Sequence, residues 1–310
     1  MRIIRDYQFV NDADRGAVAA IGNFDGVHLG HQAVLLLTGE IARELSCPVG
    51  VLTFEPHPRE FFAPDSPPFR LMNSEAKTNR LTKLGVERLY EISFNATQSS
   101  LSAEEFAQRV ILDGLGLRHV VVGADFCFGK DRTSDAADLS AFGAKMGFGV
   151  TVAPLLATGG VEVSSTRIRQ ALSDGHPEEA ARMLGHLHRI DGEVIRGDQR
   201  GRELGYPTAN MSIAGLHPPK FGVYAVRVEV RDGPHAGDYD GVASMGVRPM
   251  FGINQPNNET FVFDFKGDLY GSHLSVALVS YLRPEKKFES LDALIAQMDR
   301  DSAAARAVLA

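Results

Sequence analysis

Residues 17–32, AVAAIGNFDGVHLGHQ, constrain this chain more than any other stretch. Ala17 to Ile21 is a short apolar run of the kind that forms a buried strand. Gly22 and Gly26 break it, and a loop carrying Asn23, Phe24 and Asp25 follows. His28 and His31 then stand three residues apart at the start of an apolar helix that runs through Val34, Leu35, Leu36 and Leu37. Positions i and i+3 share one helix face, so both imidazoles can meet one ligand. A helix N-terminus offers free backbone N–H groups and partial positive charge, which suits a phosphate. The stretch therefore predicts a nucleotide-phosphate site in an α/β domain.

The 310 residues suffice for two domains of ordinary size, and 44% hydrophobic with 23% charged residues predicts packed, globular structure. A net charge of -7 and the lack of a dense Lys/Arg block argue against a general nucleic-acid binder. Nucleotides need only a few local cations or backbone donors, so they stay open. Two cysteines, Cys47 and Cys127, cannot build a disulfide scaffold. The opening MRIIRDYQ lacks a signal peptide's long apolar segment, and no run has the length to span a membrane. The expectation is a cytoplasmic protein with small-molecule partners, no nucleic acid and no membrane; no oligomeric state is implied.

Along the chain, Val49–Phe54, Gly85–Phe94, His119–Phe126 and Gly149–Leu155 read as strands. Helices are expected at 33–45, 77–84, 103–112 and 138–146. Alternation with continuous apolar strands predicts a doubly wound parallel sheet, whose ligands sit at the carboxyl ends of the strands. Gly22 to His31, Phe54 to His57, and Asp125 all fall at such ends. Two further helices, Ser164–Leu172 and His176–Gly185, follow. After Gly185 the texture changes to alternating segments separated by turn residues, among them GVYAVRVEV, TFVFDF and LSVALVSYL. That predicts a small antiparallel barrel, closed by an amphipathic helix at Phe288–Leu309. The domain line is drawn at 1–184 and 185–310.

Three stretches carry the chemistry of the first half: GNFDGVHLGH, GADFCFGK and SSTRIR. In the last, Ser164, Ser165 and Thr166 precede a helix as N-caps and anion binders do, while Arg167 and Arg169 supply fixed positive charge. In the second half, GDQRGRELGYPTAN spaces Gly197, Gly201 and Gly205 around a charged loop that includes Arg200 and Arg202. Glycines let backbone N–H groups approach phosphates closely. Thr208 and Asn210, two apart on an extended segment after Pro207, share a face and offer the hard oxygens that Mg²⁺ prefers. Transfer to a neutral hydroxyl needs a general base, and Glu259, Asp264 and Asp268 are the carboxylates at hand.

FDGVHLGHQ, FEPHP, VVGADFCFGK and SSTRIRQAL, in that order, resemble the adenylyltransferase half of bacterial bifunctional riboflavin kinase/FAD synthetases. GxxxGxxxGxPTAN resembles the riboflavin kinase signature, so the resemblance covers nearly the whole chain. It implies a Rossmann-like α/β nucleotidyltransferase domain with a parallel sheet, then a six-stranded antiparallel β-barrel with a C-terminal helix. It implies two reactions: riboflavin and ATP give FMN and ADP, then FMN and ATP give FAD and pyrophosphate. Mg²⁺ is the implied metal, with Thr208 and Asn210 as its ligands. The resemblance puts Gly22, Asn23, Phe24, Asp25, His28 and His31 on ATP, and Ser164, Ser165, Thr166 and Arg169 on its phosphates. Asp125 and Phe128 fall at the flavin-nucleotide end, with Asp125 standing where many relatives have Asn. It makes Glu259 the catalytic base and sets Tyr224 and Arg300 near the kinase's flavin. An FMN phosphate is already anionic, so the first half needs charge stabilisation rather than a base, and its histidines are expected to supply it. Competing readings are loss of one activity, a flavin-binding regulator without turnover, and a nucleic-acid-binding barrel. The first two require gaps among the motif residues, and the third requires a basic–aromatic stripe; the sequence has neither.

Overall fold

The structure is a computed structural model that describes residues 1–154, 157–158, 161–197, 205–250 and 253–310. The chain runs β1 (Arg2–Ile4), β2 (Val18–Ile21), α1 (Leu29–Glu44), β3 (Val49–Glu55), α2 (Pro58–Phe62), α3 (Ser74–Lys83), β4 (Arg88–Ser93) and α4 (Ala96–Ser99). Next come α5 (Ala103–Glu105), which continues as a π-helix over Phe106–Gly114, then β5 (His119–Gly123), β6 (Cys127–Phe128), β7 (Ser134–Asp135), α6 (Ala136–Met146) and β8 (Gly149–Ala153). A short hairpin of β9 (Ala157–Thr158) and β10 (Val161–Glu162) leads to α7 (Ser165–Asp174) and α8 (Pro177–Leu184). The remainder is β11 (Arg189–Glu193), β12 (Thr208–Ser212), β13 (Gly222–Val230), β14 (Gly237–Met250), β15 (Ile253–Val262), β16 (His273–Arg283) and α9 (Leu291–Leu309).

Packing divides the chain into two compact units, Met1–Ser66 with Lys77–Val163, and Pro67–Ala76 with Ser164–Ala310. The sequence reading drew its line at 185. Helices α7 and α8 lie with the second unit, burying Ile168, Leu172, Ala180 and Leu184 together with Leu71.

The first unit is built on six parallel strands in the order β1-β4-β3-β2-β5-β8. All four β2 residues are buried, because a central strand covered on both faces admits only apolar side chains. On one face Ala19 and Ile21 join a core with Phe106, Val110 and Ile111; Val18 belongs to a second cluster with Ala42 and Val121. From β2 the chain moves outward to β3 and β4, then returns to place β5 on the other side. The strand order therefore reverses beside β2, and the crevice at the carboxyl ends of β2 and β5 is where such sheets bind ligands.

In the second unit six antiparallel strands follow the order β11-β16-β13-β14-β15-β12. Ile195 N–H donates to Asn210 O at 2.9 Å, which brings the two edge strands together and nearly closes a barrel. Alternate residues fill its interior: Ala209 and Met211 on β12, Tyr224, Val226 and Val228 on β13, and Leu274, Val276 and Leu278 on β16. Outside, α9 lays Ala305 and Leu309 on Val223, Ala225, Val242 and Phe263. Arg283 clamps Asp301 of α9 bidentately at 2.8 and 2.6 Å. The expected TFVFDF strand stops at Val262, where Asp264 turns into the left-handed region at φ 58° and pairs with Arg306 at 2.9 Å.

Candidate functional site

At the carboxyl end of β2 the backbone makes a tight loop. Phe24 and Val27, neither of them glycine, take φ of 51° and 42°. Such strain persists only where packing enforces it, and both side chains are buried. Asp25 is buried in the same loop. His28 caps α1: its Nδ1 accepts the His31 backbone N–H at 3.3 Å. The two imidazoles stack at 3.7 Å between centroids with 14° between planes, and Phe24 tilts against His31 at 5.0 Å. A Cβ on Gly30 would meet the His28 ring at 3.1 Å, so the glycine between the histidines makes room for the stack.

This geometry decides their protonation. Burial holds the His31 pKa well below the ordinary imidazole value, and the neighbouring His28 and Lys77 push it further down. His31 is therefore neutral. A neutral imidazole carries no charge of its own, but it keeps an N–H able to donate beside the helix N-terminus. Lys77 is the cation that sequence reading missed. It is buried, reaches Thr53 Oγ1 at 3.5 Å and pairs with Glu55 at 3.8 Å. Thr53 Oγ1 in turn donates to Asn23 O at 3.3 Å. A lone lysine on a polar helix gives no periodic signal, so only the fold reveals it.

Also at the strand ends is an aromatic group with no sequence motif of its own. Phe94 meets Phe54, Phe61 and Phe62 edge-on at 5.5, 5.4 and 5.7 Å, and Phe62 remains 67% exposed. Asp125, just past β5, is exposed. Phe128 is buried among Phe106 and Phe126, a packing position.

Ser164, Ser165, Thr166 and Arg169 belong to the second unit. Ser164 caps α7 by accepting from Arg167 N–H at 3.4 Å, as its sequence position predicts. Arg169 Nε donates to Phe69 O at 2.5 Å and its guanidinium lies over the Phe69 ring.

On the barrel, Thr208 and Asn210 share the outer face of β12, and the antiparallel register sets Asn210 opposite Glu259 of β15 and Thr208 opposite Phe261. Directly opposed side chains stand about 5 Å apart at Cβ. The rival carboxylates are occupied elsewhere. Asp264 is held below the usual carboxylate range by its hydrogen bonds from Arg306, and Asp268 accepts Tyr270 N–H at 2.9 Å. A cavity of about 300 Å³ opens beside Pro207, Thr208 and Asn210, walled on its other side by Lys266, Asp268 and Tyr270. Gly197 lies against the Asn210 amide, and Gly205 takes φ 81°. Gly201, with Arg200 and Arg202, falls outside the described residues. Tyr206 donates its hydroxyl to Asp299 of α9, and its ring tilts against Phe261 at 4.8 Å between centroids. Tyr224 is a core residue whose hydroxyl donates to Lys220 O at 2.5 Å. Arg300 is exposed on α9 and donates to Gln297 Oε1 at 2.8 Å.

Residues 10–167 match the FAD synthetase family and residues 184–309 the riboflavin kinase family. The chain is 43% identical to a bifunctional riboflavin kinase/FMN adenylyltransferase of Pseudomonas fluorescens, over 100% of this chain and 98% of the relative. It is 39% identical to the protein of that name from Escherichia coli (strain K12), over 99% and 97%. A crystal structure titled as a macrolide-efflux protein from Streptococcus pneumoniae superposes with a TM-score of 0.84 at 32% identity, covering 98% of each chain.

Proposed function

The chain belongs to the family of bifunctional riboflavin kinases/FMN adenylyltransferases, and from that premise we infer that it phosphorylates riboflavin with ATP and then adenylylates the FMN product to FAD. We assign the adenylyl transfer to residues 1–184 and the phosphoryl transfer to residues 185–310. The kinase half rests on one observation above all, the register that sets Asn210 opposite Glu259 beside the cavity at Thr208.

In the kinase reaction Glu259 takes the proton of the riboflavin 5′-hydroxyl as that oxygen bonds to the γ-phosphorus of ATP. The bond from that phosphorus to the β-bridging oxygen breaks and ADP leaves. Pro207, Thr208 and Asn210, with Gly197, Gly201 and Gly205, bind the nucleotide. The donor set also fits Mg²⁺. Thr208 and Asn210 offer two neutral hard oxygens with one carboxylate opposite, suiting a cation that draws its other ligands from phosphates and water. Bound there, it would supply charge neutralisation on the phosphates.

In the adenylyl reaction an FMN phosphate oxygen attacks the α-phosphorus of a second ATP, and pyrophosphate departs. The nucleophile carries no proton to remove, so the residues act on developing charge. Gly22, Asn23, Phe24 and Asp25 shape the ATP-binding loop, while His28 and His31 donate hydrogen bonds at the α1 N-terminus. The family resemblance in sequence assigns Ser164, Ser165, Thr166 and Arg169 to the phosphates, Asp125 and Phe128 to FMN, and Tyr224 and Arg300 to riboflavin. The exposed ring of Phe62, with the half-buried Phe61 and Phe94 beside it, suits an isoalloxazine, which stacks and buries apolar area together. A cytoplasmic location belongs to the same reading; among the described residues no helix is long and apolar enough to cross a membrane.

Incubation of purified protein with riboflavin, ATP and Mg²⁺ tests both steps. His28→Ala is expected to form FMN and no FAD. Glu259→Gln is expected to slow FMN formation by roughly 10²-fold while still converting supplied FMN to FAD. Normal FAD output from the first variant, or an unchanged FMN rate from the second, would remove that residue from its role.

A further inference from the structure

Asn257 lies on β15 two residues before Glu259, opposite Ser212 of β12 and Gly246 of β14. Side chains alternate along a strand, so Asn257 and Glu259 face the same side, which is also the side of Thr208 and Asn210. Asn257 is 3% exposed and Asn210 8%. Asn257 Nδ2 donates to Asn210 Oδ1 at 3.3 Å, and Asn210 Nδ2 donates to Thr208 O at 3.2 Å. The second contact fixes which end of the Asn210 amide is which. A backbone carbonyl only accepts, so the NH2 end faces Thr208 and the oxygen faces Asn257. A third wall completes the clamp: a Cβ on Gly197 would stand 2.7–2.8 Å from the Asn210 amide atoms.

An unrestrained asparagine can turn either end of its amide toward a cation, and only the oxygen attracts it. Asn257 removes that ambiguity. It occupies one lone pair of the Asn210 oxygen and leaves the other. It does so without placing a second carboxylate beside Glu259. We infer that Asn257 is a positioning residue for riboflavin phosphorylation, orienting the Asn210 amide so that its oxygen is available to nucleotide-bound Mg²⁺. This rests on the kinase reading above. Position 257 carries no motif, and only the cross-strand register brings it to Asn210.

Asn257→Asp inverts the interaction. A carboxylate only accepts, so it repels the Asn210 oxygen and draws the NH2 end away from Thr208. The test is calorimetric titration of ADP into full-length protein, with and without Mg²⁺. Wild type is expected to bind Mg·ADP more tightly than ADP. Asn257→Asp is expected to weaken Mg·ADP by about tenfold, the loss of one charge-assisted contact, while leaving metal-free ADP within about twofold. Its FMN formation is expected to recover at raised Mg²⁺, and its conversion of supplied FMN to FAD to match wild type, which also shows that it is folded. Asn257→Ala, without the inverted charge, is expected to lose Mg·ADP affinity in the same direction. Equal weakening of ADP and Mg·ADP in both variants, or wild-type Mg·ADP affinity in folded Asn257→Asp, overturns the inference alone. Wild-type protein that forms no FMN overturns the kinase reading, and the inference with it.

Discussion

His188 makes acid stability a quantitative test of this fold. It is 4% exposed, and its pKa falls to about 3 from an ordinary 6.5, chiefly through burial and further through the nearby His186 and His217. The folded-state pKa lies below the unfolded one. Between those values the unfolded chain holds a proton that the folded chain refuses. The contribution is therefore fully present above pH 6.5 and is lost as pH falls toward 3. At pH 5 the unfolded histidine is protonated to the extent of about 1.5 pH units, and at about 1.4 kcal/mol per unit this costs about 2 kcal/mol relative to pH 7.5. Urea unfolding followed by circular dichroism at the two pH values, in wild type and His188→Gln, isolates the effect. The variant should lose less of its stability on acidification by about 2 kcal/mol. Imidazole proton resonances supply the direct check, because His188 should stay neutral at pH 5. A His188 resonance titrating near 6.5, or equal acid losses in both proteins, would refute the reasoning.

Two further outcomes follow from packing. Gly30→Ala should lower FAD formation about tenfold, because its Cβ would press on the His28 ring at 3.1 Å and disturb the stack with His31. FMN formation should be unchanged, since that step is assigned to the other half; a rate assay with supplied FMN reads the difference. Asp301→Ala should destabilise the second unit by about 2 kcal/mol in denaturant titration, because Arg283 is left largely buried without its bidentate partner. That is below the loss for a fully buried pair, as the Arg283 side chain keeps 21% exposure and is partly screened.

The sequence determined the class of each half. Continuous apolar runs such as Val18–Ile21 and Val120–Val122 admit only strands covered on both faces, and the alternation in Val226–Val230 marks a strand whose one face fills a core. Both patterns are local, so they survive being read one residue at a time. The HLGH helix start and the Ser164 cap were legible for the same reason, because a cap is set by neighbours within one turn. Tertiary structure decided the rest. That His31 is neutral depends on what covers it, and that Lys77 sits near it depends on the fold of a polar helix whose sequence carries no mark. The segment 67–76 joins the second unit although it lies far from that unit in sequence. Asn257 reaches Asn210 only through the register of β12 on β15, 47 residues apart along the chain. Pairing, burial and electrostatic environment are sums over distant residues, and no window on the sequence contains them.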